Sequence, residues 1–196
     1  MAGALPAEIA DALRALQYDR RWLDYGVLMP AVLLAQAEEL RSSPQPEDGN
    51  EHFRCGAMFD YLGSVSSISD EQLARVIELM EVDPDAGMAA SVLSSMAMGH
   101  PGLTDAQFER VAAHASCRPF TKKIERIRLQ RLRRSGGATE SWFRSAVDLP
   151  DDATHRAVLA EEHVPRWALE YLEQHGVNKG VRNRAAELLK GPRYQA

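Results

Sequence analysis

Three helix starts recur at one fixed interval, and that interval limits the chain to a small set of architectures. Ser69-Asp70-Glu71-Gln72 and Thr104-Asp105-Ala106-Gln107 are both capping boxes, 35 residues apart. In such a box the hydroxyl accepts from the third helical N–H, while the glutamine reaches back to the cap N–H. The correspondence runs past the caps: Ile68 matches Leu103, Leu73 matches Phe108, Arg75 matches Arg110, Val76 matches Val111, and Pro84 matches Pro119. A further shift of 35 lands on Thr139, with Glu140 against Asp105 and Phe143 against Phe108. A shorter last unit aligns by its second helix, Ala185-Ala186 and Leu188-Leu189 echoing Ala89-Ala90 and Val92-Leu93, with a first helix over 164–175 and a turn at Gly176-Val177-Asn178. Helical hairpins of this period bury their apolar sides only by stacking on their neighbours.

The first 65 residues are helical but less regular. Residues 7–18 put Ile9, Leu13 and Leu16 on one side, and 20–41 carry Leu23, Val27, Leu28, Leu33, Leu34 and Leu40 with Pro30 as a kink or break. The uncharged run from Gly26 to Ala37 is too short for a membrane span, which needs roughly 20 residues, and reads as a buried helix. Ser42 to Asn50 is the clear loop, after which Phe53, Ala57, Met58, Tyr61 and Leu62 form an apolar side. The domain reading is one compact body: an N-terminal cap region over 1–65, then hairpin repeats over 66–190.

Abundant Ala, Leu, Arg and Glu favour helix over strand. Cys55 and Cys117 stand far apart without ligand spacing, which points to two buried free thiols in a reducing compartment. The N-terminus lacks a basic start followed by an apolar stretch, so a cytoplasmic location is expected.

A helix, a short turn carrying Asp83-Pro84-Asp85 or Arg118-Pro119, and a second helix with paired small residues resembles the HEAT and armadillo α-solenoids over roughly residues 66–190. The resemblance implies an all-α, right-handed stack of antiparallel hairpins with about nine to eleven helices, and a binding surface rather than a catalytic one. The small and aromatic positions of tetratricopeptide repeats are missing, as is the recurring base-reading position of pentatricopeptide repeats.

Charge is unevenly distributed. Arg118 to Arg134 holds eight basic residues and one acid, a net of +7, within a chain of net charge −5. On a helical wheel Phe120, Ile124, Ile127 and Leu132 can face a core, with Lys122, Lys123, Arg126, Arg133 and Arg134 projecting outward. Phosphates or an acidic protein could dock on those cations, or the cations could pair with acids on adjacent hairpins. The acidic turns give Asp83, Asp85, Asp148, Asp151 and Asp152 as contacts for a basic partner, with solvated turns and helix N-terminal charges as the alternative. Trp22, Trp142 and Trp167 follow helix starts or turns, where tryptophan either staples hairpins or borders a binding face, and Trp142 and Trp167 join the candidate contacts. The six histidines are scattered, with His155 and His163 as interface candidates at most. No HExxH, nucleophile elbow or phosphate cradle occurs, so no catalytic residue, metal ligand or cofactor is assigned. Gly136-Gly137 reads as a turn needing backbone freedom.

The expected function is a non-enzymatic protein-binding module, concretely a bacterial immunity or antitoxin-like protein that occludes a toxin or effector. Ala- and Arg-rich usage suits a high-GC bacterium. Nucleic-acid or phosphate-ligand binding through residues 118–134 is one alternative, and an enzyme with an unrecognised helical site is another.

Overall fold

The computed structural model describes residues 4–42, 50–100, 102–115 and 118–194, with the side chains of 118 and 119 outside that description. The central part of the expected loop and Cys117 therefore lie outside the described residues, as does the side chain of Pro119, the expected counterpart of Pro84. Within them the chain is all-α, and no strand occurs. There are twelve α-helices, more than the nine to eleven expected: α1 Ala7–Ala15, α2 Arg21–Asp24, α3 Pro30–Ser42, α4 Asn50–Ser64, α5 Asp70–Glu81, α6 Ala86–Gly99, α7 Asp105–His114, α8 Arg118–Gly136, α9 Glu140–Asp148, α10 Asp152–Leu159, α11 Arg166–His175 and α12 Lys179–Leu189. A 3-10 turn, Pro192–Tyr194, follows. Among the described residues no helix is long and apolar enough to cross a membrane.

Two compact units divide the chain, residues 1–117 and 118–196. The 35-residue interval runs through this division: Ser69 and Thr104 start helices of the first unit, and Thr139 starts one of the second.

In the first unit α1 packs on α3, α4 on α6, α5 on α6 and α7, and α6 on α7. Ile9, Leu13 and Leu16 all face inward. Pro30 breaks the 20–41 segment, because its ring lacks the N–H an interior helical position would need and it serves as the first residue of α3. The Gly26 to Ala37 run is not a buried helix. Its first residues precede α3, and that helix buries Leu33 and Ala37 while Met29 and Val32 stay exposed. Ser69 and Thr104 each accept from the N–H of a glutamine three residues on, Gln72 or Gln107, whose side chain accepts from the cap N–H in return. Gln107 does more: its Nε2 donates to the Ile68 carbonyl at 3.0 Å and to Asp70 at 2.9 Å, binding the start of α7 to the start of α5.

In the second unit α8 packs on α9, α9 on α10 and α11, α10 on α12, and α11 on α12. Its core gathers Leu129, Phe143, Val158, Leu169, Leu172 and Val181 with smaller residues between them. Thr139 caps α9 by accepting from the Trp142 N–H, without the reciprocal half of the box because Trp142 stands where the glutamine would. The last two helices pack on one another about the expected turn: α11 ends before Gly176, and Asn178 caps α12 by accepting from Val181 N–H at 2.9 Å. Gly137, at φ +74°, takes the left-handed conformation that lets α8 stop and α9 begin, and its N–H donates to the Arg133 carbonyl.

Candidate functional site

The sequence-nominated side chains divide into those that hold the fold and those that reach solvent. Asp83 is no surface contact. Its side chain is fully buried against Arg54, with Arg54 Nε donating to Oδ2 at 2.9 Å, and Oδ1 accepts from the Asp85 N–H at 2.9 Å. Arg54 also donates to the Leu16 carbonyl, so one buried pair joins three segments of the first unit. Asp85 caps α6 through the Met88 N–H, and Asp151 caps α10 through the Thr154 N–H and hydroxyl. Asp152 lies at the N-terminal end of α10 and accepts from Asn178 at 2.6 Å and from Arg156 at 2.9 Å, contacts that hold its carboxyl below the usual carboxylate range. Asp148 is exposed.

Trp142 is likewise no rim residue: it is 4% exposed, and its indole N–H donates to the Leu129 carbonyl at 2.9 Å. Trp22 is buried edge-on against Tyr18. Trp167 is half-buried, donates to Glu140 at 3.2 Å and lies under the Arg144 guanidinium. His155 is buried as well. Its Nδ1 takes the Val177 N–H, so Nε2 carries the proton and donates to the Val147 carbonyl at 3.1 Å. Its interface role gives way to a structural one.

The basic helix α8 is partly paired. Arg126 lies 3.4 Å from Asp151, Arg133 is ion-paired to Glu161, and Arg128 to Glu125. Lys122, Lys123 and Arg134 are exposed and have no ion-pair partner among the described residues. Leu132 departs from the wheel reading, 53% exposed, whereas Leu129 is 6% exposed and takes the core position.

Beside α10 these observations converge. A cleft of about 370 Å³ between α8 and α10 is lined by Gln130, Arg133, Arg134, Ala157, Ala160 and Glu161. Another of about 270 Å³ between α10 and α12 is lined by Arg156, Leu159, Ala160, Gly180, Val181 and Arg184. Ala160 borders both. Four arginines from three helices thus surround two adjoining, largely apolar hollows that contain one carboxylate. Arg156 and Arg184 were not singled out in the sequence, because neither stands in a basic run like that of 118–134. Comparing second helices with one another, as the first helices were compared through their caps, is the signal that brings them beside Arg133 and Arg134.

The first unit has a cleft of its own, about 250 Å³ between α4 and α6, with Phe59, Leu62 and Met96 in its wall and His100 at one end. It carries no charge. The units also differ in sign: the first has 7 basic and 18 acidic residues, a net of −11, and the second 16 and 10, a net of +6.

Compared with protein-family models, curated proteins and solved structures, the chain has no significant match. What can be read about its function therefore rests on its own residues.

Proposed function

We propose that the chain is a non-enzymatic protein-binding module built as a short, HEAT-like stack of helical hairpins, and that the second helices of the hairpins form its binding face. The observation that carries this reading is the pair of adjoining clefts opened by α8, α10 and α12. Like helices also pack on like in the second unit, α9 on α11 and α10 on α12, as hairpin stacking requires. A standard interface buries roughly 800 Å² per partner, and the clefts would lie within it. The narrower form of the proposal is an immunity or antitoxin-like protein of a bacterial cytoplasm that occludes a toxin or effector by shape and charge.

Gentle purification of the full chain from its native host, followed by light scattering, tests the broader form. The expected result is a complex of defined stoichiometry with one other protein that re-forms from the separated components. A chain that emerges alone contradicts it. For the narrower form, the re-formed complex should show the partner's toxic activity suppressed in proportion to occupancy.

A further inference from the structure

We propose that the clefts on either side of Ala160 take an acidic segment of the partner protein, two apolar side chains seated in the hollows and flanking carboxylates held by Arg134, Arg156 and Arg184. This assignment rests on the protein-binding reading above and gives it a partner chemistry. Four observations support it.

The second unit carries a net +6 within a chain of net −5, so an anionic partner is drawn to this unit and repelled by the rest. The arginines are also available. Arg134 has no ion-pair partner among the described residues. Arg156 and Arg184 are paired only along their own helices, with Asp152 at 2.9 Å and Glu187 at 3.1 Å, and all four side chains are well exposed. Exposed pairs of that kind contribute little, so an incoming carboxylate displaces them readily. Arg133 is different, since its pairing with Glu161, which is largely shielded, makes it part of the wall.

Both hollows expose mainly carbon: Ala157 and Ala160 at the C-terminal end of α10 in one, and Leu159, Ala160 and Val181 in the other. Leu, Ile or Met side chains can seat against these apolar atoms while carboxylates meet the arginines at the rim. The hollows, about 270 and 370 Å³, lie near the lower end of small-molecule sites, about 300–1,000 Å³, and are open enough to take a side chain. The hollows meet at Ala160, so the segment carries two neighbouring apolar residues with Asp or Glu around them.

A displayed library of random peptides is selected on the full chain at low salt, and the recovered peptides are resynthesised with a fluorophore for anisotropy. The variants are R134E/R184E, which reverses the charge, and A160W, which puts a bulky ring between the two hollows from an exposed position. Circular dichroism establishes that each is folded. Recovered peptides should be acidic with paired apolar residues, should bind about tenfold more weakly to either variant, and should weaken as salt is raised. Peptides without acidic bias, or equal binding by wild type and both variants, overturn the assignment. If the purified partner binds the R134E/R184E chain as tightly as wild type, this assignment fails while the protein-binding reading stands. If no protein binds and a short DNA duplex is shifted by wild type but not by R134E/R184E, both fail.

Discussion

Arg54 and Asp83 form a buried ion pair that joins three segments of the first unit. Both side chains are withdrawn from water, and their charges are satisfied by one another, by the Leu16 carbonyl and by the Asp85 N–H. Removing one partner leaves an uncompensated buried charge, so Asp83→Ala should cost about 3–5 kcal/mol in urea unfolding. The double replacement R54M/D83L, which removes both charges, should cost clearly less. Nearby, Glu78 is held between the Tyr25 hydroxyl at 2.6 Å and Arg21 at 2.7 Å, and these bonds keep its carboxyl below the usual carboxylate range. A group with a depressed folded-state value stabilises fully above its unfolded value, about 4.3, and loses that contribution as pH falls through the folded value. Glu78→Gln should flatten the acid side of the stability–pH curve, read by urea midpoints between pH 6 and pH 3. Gln17 holds φ +58° in an exposed turn, a conformation that costs a side-chain-bearing residue about 1 kcal/mol or more. Gln17→Gly should raise thermal stability slightly, the gain reduced by the extra freedom of glycine in the unfolded chain. None of these roles was legible in the sequence. The Arg54 pair spans 29 positions and the Arg21 pair 57, and nothing local marks either end.

At the scale of the element, helix starts were legible and helix faces only partly so. A cap involves four consecutive residues, so Ser69 and Thr104 announce themselves and the structure forms both boxes. Thr104→Ala should cost about 1 kcal/mol, and more than Thr139→Ala, because Thr104 sits in a complete box whose glutamine also ties α7 to the start of α5. The wheel of α8 was harder. Ile124 and Leu129 are both buried although they lie roughly 140° apart at about 100° per residue, so this helix is not the one-sided amphipath that a single stripe assumes. Leu132, nearer on the wheel to Ile124, is left in solvent. Leu129→Ala should lose about 2–5 kcal/mol, and Leu132→Lys should stay within about 0.5 kcal/mol of wild type by chemical denaturation. Trp142 illustrates the same limit: its position after a cap was visible, but which way the indole points depends on the Leu129 carbonyl of the preceding helix.

For the molecule as a whole, the all-α class and the 35-residue spacing of the first-helix starts could be read from the chain. The division at 117/118 could not, since the spacing passes through it without a break. Charge polarity was visible as one basic run. The structure redistributes it: Arg126 and Arg133 turn toward Asp151 and Glu161, while Arg156 and Arg184 join Arg134 around Ala160. A site assembled from single residues on three helices leaves no local motif, which is why its most exposed arginines went unmarked. Hydrogen–deuterium exchange of the full chain with and without its purified partner tests the binding face most directly. Slowed exchange should concentrate in the second half of α8, in α10 and in α12. Protection confined to α1 through α7 would contradict the account.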